Sequence, residues 1–293
     1  MSTSVATTTA TAAARPAPRR LPRLLESLAA TAGLLIVLFW VAVAVAAPWI
    51  APYSPTRSYQ PMQHPLAAAP GGGMFLLGTD HLGRDLLSRL IFGTRTVLTY
   101  APLATACAYV VGAAAGLAAG YRRGWVDELL SRGGDLVLAF PALVLYIAII
   151  GRFGASGLNI VLAVVLATSP GVMRIVRGVV LEERGRAYVA AAQMRGESAF
   201  WICVVEILPN VRGPLVVDLC IRLGYVTITI GTLGFLGLGL PPPIPDWGGM
   251  INETRQFAMV FPYMVIPPCL AVVSLVLGFN LFADGLRSIA ARR

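Results

Sequence analysis

Leu28-Ala29-Ala30-Thr31-Ala32-Gly33-Leu34-Leu35-Ile36-Val37-Leu38-Phe39-Trp40-Val41-Ala42-Val43-Ala44-Val45-Ala46-Ala47-Pro48-Trp49-Ile50 is an uninterrupted apolar run without a charged side chain. A helix needs roughly 20 such residues to cross a bilayer, so this stretch reads as a membrane span. Ala44-Val45-Ala46 has the small-x-small form of a signal-peptidase site, which makes cleavage the competing reading. The run outlasts a signal-peptide core of about 7–15 residues, and the reading taken is an uncleaved first helix. Working outward, 97–120, 135–151, 158–176, 212–238 and 262–283 pass the same test. Between them lie Tyr121-Arg122-Arg123-Gly124 and Pro241-Pro242-Pro243-Ile244-Pro245, which cannot continue a lipid-exposed helix. The expected fold is an all-α integral membrane protein of six transmembrane helices.

The chain has 293 residues, 57% hydrophobic and 13% charged, with a formal charge of +9. All 23 basic residues are arginine. Without lysine there is no Walker A loop, Schiff-base amine or lysine general base, so any ATP used must be bound by another chain. Cys107, Cys203, Cys220 and Cys269 show no paired spacing and His64 and His81 are the only histidines, so neither a disulfide framework nor a metal or cofactor site is expected.

With the N-terminus inside, sixteen arginines fall on inner segments and six on outer ones. The positive-inside rule therefore favours both termini in the cytoplasm, and the basic balance is a topology signal, with no nucleic-acid partner expected. The sequence divides into a disordered cytoplasmic tail (1–27), the first span with a long periplasmic loop (28–96), a core of spans (97–287) and a short cytoplasmic tail (288–293). The core includes a cytoplasmic loop at about 181–211.

Two spans carry more than hydrophobicity. Ala104, Ala108, Gly112, Gly116 and Gly120 recur every four residues, a stripe suited to a close helix crossing inside this subunit or with a partner. The fifth span carries Asp218 and Arg222 four residues apart, able to pair on one helix face or to line a polar path. Thr227 and Thr229 follow on the same helix, making it the strongest candidate for a solute path. In the loop, Tyr188 to Arg195 reads as a short helix stopped by Gly196. Ser198 caps a second helix with Phe200, Val204, Ile207 and Leu208 on one face, ended by Pro209. Such a pair is suited to docking in another protein's groove or to packing on its own helices.

The run Ala191-Ala192-Gln193-Met194-Arg195-Gly196, followed by Leu208-Pro209, resembles the E-A-A-x3-G…I-x-L-P loop of ABC importer permeases, departing at Ala190 and Glu206. Leu77-Gly78-Thr79-Asp80-His81-Leu82-Gly83-Arg84-Asp85-Leu86-Leu87-Ser88-Arg89, running on to Gly93 and Arg95, is similar to the L-G-T-D-x-x-G-R-D-x-x-S-R block of the C-type permease subunit of dipeptide, oligopeptide and nickel importers. Leu236-Gly237-Leu238-Gly239 with Pro243-Ile244-Pro245-Asp246-Trp247-Gly248 resembles a second block of that family. Read locally, Thr79 or Asp80 caps an outer-surface helix start, Asp80 pairs with Arg84, and Trp247 is an interfacial anchor or a docking point for a delivery protein.

The resemblance covers about residues 28–287. It implies a type I importer permease in a bacterial inner membrane, working with a second homologous permease, two cytoplasmic ATPases that bind ATP and magnesium, and a periplasmic or lipid-anchored substrate-binding protein. Tyr188, Ala191, Ala192, Gly196, Leu208 and Pro209 would form the ATPase-coupling loop. The cargo would be di- or oligopeptides, with nickel chelates, glutathione or opines as alternatives. An ion-coupled secondary transporter is the competing class, but it usually shows internal repeats, and none is evident. A membrane enzyme needs convergent acid, base or nucleophilic groups, which the sequence does not supply.

Overall fold

The computed structural model describes residues 28–291, with side chains through residue 288. The 1–27 tail and the last two residues lie outside the described residues. The helices are α1 (Leu28–Ile50), α2 (Leu86–Arg122), α3 (Gly124–Ala139), α4 (Ala142–Phe153), α5 (Gly157–Glu183), α6 (Ala187–Met194), α7 (Ala199–Trp201), α8 (Leu208–Phe235), α9 (Trp247–Thr254) and α10 (Ile266–Ala291). Helix α10 thus continues through 288–291, where the sequence suggested a tail. Strands β1 (Ala67–Ala68) and β2 (Met74–Phe75) form a small hairpin within 51–85. We call the end covered by 51–85 and α9 the cap end, and the end carrying α6 and α7 the elbow end.

Among the described residues, five continuous helical stretches are long and apolar enough to cross a membrane, and α3 with α4 makes a sixth if the bent pair counts once. That pair corrects the expected straight span at 135–151. Pro141 forces Phe140 into extended backbone (φ −85°, ψ 137°) and lacks an N–H, so the chain turns by 86° there. Pro209 has the opposite outcome to the one expected. Instead of ending the second loop helix, it sits in the first turn of α8, preceded by a π-helical segment, Ile202–Ile207. Within that wider turn the Leu208 N–H reaches back five residues to the Cys203 carbonyl. The result is one apolar helix from Ala199 to Phe235, running from the elbow to the cap.

The small-residue stripe seats α2 on α5 within this chain. A methyl group at Gly112 would stand 2.6 Å from the Ser169 carbonyl oxygen, and one at Gly116 2.7 Å from that of Met173. Even the last stripe glycine, Gly120, leaves only 2.9 Å to Val180 Cβ. Backbones approach closely enough to gain dispersion contact where lipid offers no hydrophobic drive to associate. Asp127 and Arg177 (2.5 and 2.7 Å), with Asp135 and Arg174 (2.5 Å), tie α3 to α5.

Three buried clusters result. Ala104, Tyr146, Ile160 and Leu233 join α2, α4, α5 and α8. Val176, Val180, Ala192 and Ile207 fill the elbow end, while Leu86, Trp247, Met264 and Leu275 fill the cap end. Leu35, Val110, Leu129 and Leu270 remain exposed along their helices, as side chains facing lipid do.

Candidate functional site

At the elbow, α6 closes as the sequence predicts. The Gly196 and Glu197 N–H groups bond to the Gln193 and Ala192 carbonyls, and Gly196 takes φ +78°, a left-handed turn that a Cβ disfavours. Ser198 accepts the Trp201 N–H at 3.2 Å and caps the next helix. Of the predicted loop residues, Ala192 is buried against Ile202 and Ile207, Tyr188 and Leu208 pack on the same cluster, Ala191 is half-buried, and Gly196 and Pro209 face outward.

Tyr188 donates to Glu183 Oε2 at 2.7 Å, and burial with the adjoining carboxylate pushes its hydroxyl pKa up to about 12. The two departures from the family pattern become intelligible. Glu206, standing where the pattern has isoleucine, accepts from Arg195 at 2.8 Å and braces one helix against the other. Ala190 faces outward with no buried task.

The most exposed large apolar side chains of this arrangement are Met194 (84% exposed), Phe200 (77%) and Trp201 (46%). They bracket Gly196 along the chain, and together these exposed apolar side chains are called the knob. The expected apolar face is therefore split: Ile207 packs inward and Phe200 projects outward. Beside the knob, a groove of about 590 Å³ runs between α2 and the start of the Ala199–Phe235 helix, lined by Val110, Ala114, Leu117, Phe200, Val204 and Leu208.

Further along that helix, Arg222 Nε donates to Asp218 Oδ2 at 2.7 Å. A third member escaped the sequence: Tyr109 of α2, whose hydroxyl donates to Asp218 Oδ2 and lies 3.2 Å from the Leu215 carbonyl. The Arg222 guanidinium reaches toward α5, where a Cβ on Gly171 would stand 3.2 Å from Nη1. Three helices thus meet at one ion pair whose side chains are each about one-fifth exposed. Thr227 is buried and its hydroxyl donates to its own helix at the Leu223 carbonyl, whereas Thr229 is half-buried and donates to Tyr225. Of the two threonines, Thr229 is the one with an open side.

The cap corrects two local expectations. Helix α2 begins later than Thr79 or Asp80: its cap is Asp85, whose carboxylate accepts the Ser88 N–H at 2.8 Å. Burial raises the Asp85 carboxyl above the ordinary range. Asp80 instead holds the turn before the helix, accepting the Leu82 and Arg84 N–H groups at 2.9 Å each. Gly83 closes that turn at φ +78°, with its carbonyl accepting from Tyr59. The expected Asp80–Arg84 pair is present at 2.7 Å, but it lies inside the protein, with Thr79, Asp80, Arg84 and Asp85 all buried.

Trp247 is likewise no interfacial anchor. It is completely buried, donates its Nε1–H to the Leu90 carbonyl at 2.9 Å, and fits against α2 because residue 93 is glycine. Trp40 of α1 packs edge-on at 5.0 Å.

With this geometry in place, the chain's sequence matches two known family models. Residues 112–293 fit the binding-protein-dependent transport system inner membrane component, and residues 21–70 fit the N-terminal transmembrane domain of oligopeptide transport permease C. The chain belongs to the binding-protein-dependent inner-membrane permeases. A dipeptide transport system permease protein of Haemophilus influenzae is 36% identical over 260 residues, covering 88% of each chain. A di/tripeptide permease of Pseudomonas aeruginosa is 37% identical, covering 88% of this chain and 86% of that one. A glutathione transport system permease of Pectobacterium atrosepticum is also 37% identical, covering 88% and 85%. As an inner-membrane permease with type I importer architecture, the chain is a multi-pass transport component, and the secondary-transporter class falls away.

Proposed function

We propose that this chain is one permease subunit of an ATP-driven peptide importer, taking di- or oligopeptides from a substrate-binding protein on the periplasmic side. The cap end faces the periplasm and the elbow end, with both termini, faces the cytoplasm. A second homologous permease completes the path, and two ATPase subunits, which bind the ATP and magnesium, dock at the elbow.

The observation that carries this reading is the knob of Met194, Phe200 and Trp201 around Gly196. Large apolar side chains so exposed at the elbow end of the bundle are suited to a groove in another protein. The knob continues without a break into the Ala199–Phe235 helix, so a displacement imposed on the elbow reaches Asp218, Arg222 and Tyr109, the polar cluster best placed to border the path. Alternating access requires that the ATPase states bind two positions of this element with different free energy. A single helix spanning elbow to cap gives them one element to bias.

The names of the dipeptide and di/tripeptide relatives support a peptide cargo. Similarity to a glutathione permease supports a second reading in which the cargo is glutathione, itself a tripeptide. The test is to reconstitute the chain with its partner permease, ATPases and binding protein in liposomes and measure uptake of a labelled dipeptide and of glutathione. ATP-dependent accumulation that also requires the binding protein is expected. Accumulation without ATP, or of neither cargo, contradicts the proposal.

A further inference from the structure

At its cap end, α8 is gripped by the start of α9. Asp246 accepts the Gly249 N–H at 2.9 Å, and its carboxylate fills the space a side chain at Gly234 would need. Gly248 lies directly on the Gly231 carbonyl, where a Cβ would overlap it. The end of α8 therefore cannot shift without carrying α9.

Besides the packing of Met250 in the cap core, α9 is attached to α2 and to the cap at two places of different character. One is Trp247, wholly apolar except for its bond to the Leu90 carbonyl. The other lies nearly two turns later at Glu253, which accepts from Arg84 Nη2 and, at 3.0 Å, from Arg89 Nη2. Asp80 steadies both arginines from the far side, 2.7 Å from Arg84 Nε and 3.7 Å from Arg89 Nε. Arg84 and Arg89 are buried, while the Glu253 side chain keeps 24% of its surface open. Arg89 Nε and Nη1 and Asp246 Oδ1 make no hydrogen bond among the described residues. Among the described residues, Glu253 is thus the one carboxylate joining α9 to both arginines.

We propose that Glu253, held by Arg84 and Arg89, is a positioning residue that fixes α9, and through it the outer end of α8, so that the path stays closed to the periplasm until the ATPases act. Trp247 and the buried Met250 hold α9 by apolar packing, and the ion pairs at Glu253 add a charged attachment at its far end. A helix whose two ends answer to different partners, ATPases at the elbow and the cap at the other, is the two-state element that coupling between distant sites requires. The proposal rests on the importer reading.

The experiment uses the complete complex in liposomes, comparing Glu253→Gln with the charge-conserving Glu253→Asp. The readout is the ratio of binding-protein-stimulated to basal ATP hydrolysis, with uptake measured alongside. Glu253→Gln is expected to raise basal hydrolysis and lower the ratio about fivefold or more, a typical size for lost coupling, with Glu253→Asp recovering part of it. A residue needed only for folding would lower the yield of complex and leave the ratio of the assembled fraction unchanged; that result overturns the proposal. Should Glu253→Gln fail to assemble, Arg84→Gln leaves the Arg89 bond in place and must still lower the ratio. An unchanged ratio there also overturns it. Absence of binding-protein-stimulated hydrolysis in the wild-type complex marks failure of the importer reading instead.

Discussion

The cap and the elbow end the same helical bundle by opposite means. At the cap, charged residues are taken inside and paired: Arg84 with Asp80 and Glu253, and Arg89 with Glu253, with Arg89 Nε and Nη1 left without a hydrogen bond among the described residues, while Trp247 is sealed between α1 and α2. At the elbow, the ion pairs Arg195–Glu206 and Arg186–Glu183 lie toward the surface, and Met194 and Phe200 are the side chains left unsheltered. Buried ion pairs depend on complete geometry, since removing one partner leaves an uncompensated charge. Exposed apolar side chains gain only when something covers them. The cap therefore pairs its buried charges within this chain, whereas the elbow keeps its charges outside and its largest apolar side chains uncovered, the surface that the docking proposal needs.

The contrast can be broken most severely at Trp247. Trp247→Ala opens a cavity in the cap core, a loss of about 3–5 kcal/mol. Thermal melting of the purified protein should fall sharply, with reduced yield; an unchanged melting temperature would show that the cap core does not hold the bundle. Gly196→Glu acts at the other end, where a left-handed conformation costs a non-glycine residue about 1–2 kcal/mol but no atom stands within 4 Å of the new Cβ. The chain should insert normally and lose uptake, measured side by side in cells.

A smaller effect is expected at Asp246, whose carboxyl is raised to about 6, chiefly by burial and further by Glu253. Because the folded state holds this proton more tightly than the unfolded state, its contribution to stability falls as pH rises from about 4 to about 6 and is flat above that. Asp246→Asn retains an acceptor for the Gly249 N–H and abolishes the titration. The melting temperature of the wild type relative to the variant should be higher at pH 4.5 than at pH 7; a pH-independent difference would contradict it. Smallest of all is Glu206→Ile, which restores the family pattern and removes an exposed pair with Arg195. It should change stability by at most about 1 kcal/mol, read from the same melting curves.

Much of this was legible in sequence where the signal is local. The charge-free run at 28–50, the four-residue stripe from Ala104 to Gly120, and the Gly196 and Ser198 signals each depend on neighbours a few positions away, and each appears as read. Pro141 carried a readable signal too, since the residue before a proline is pushed out of helical backbone, but the continuous hydrophobicity of 135–151 concealed it. Pro209 carried the same signal and ended nothing, because the π turn before it absorbs the misfit. What could not be read were partners distant in the chain. Tyr109 meets Asp218 and Glu253 meets Arg84 only after α2, α8 and α9 have packed, and no spacing rule links such positions. The burial of Trp247 follows from Gly93 in another helix, so its surroundings suggested a surface role that the packed structure removes.

The central claim is that the exposed apolar knob at the elbow is the docking surface for the ATPases, and it is tested most directly by the double substitution Met194→Glu and Phe200→Glu. Both side chains are more than three-quarters exposed, so the fold should be unaffected. The account predicts an unchanged melting temperature for the isolated chain, loss of the ATPase subunits on co-purification, and loss of ATP-dependent uptake. Full ATPase recovery with normal uptake would contradict it.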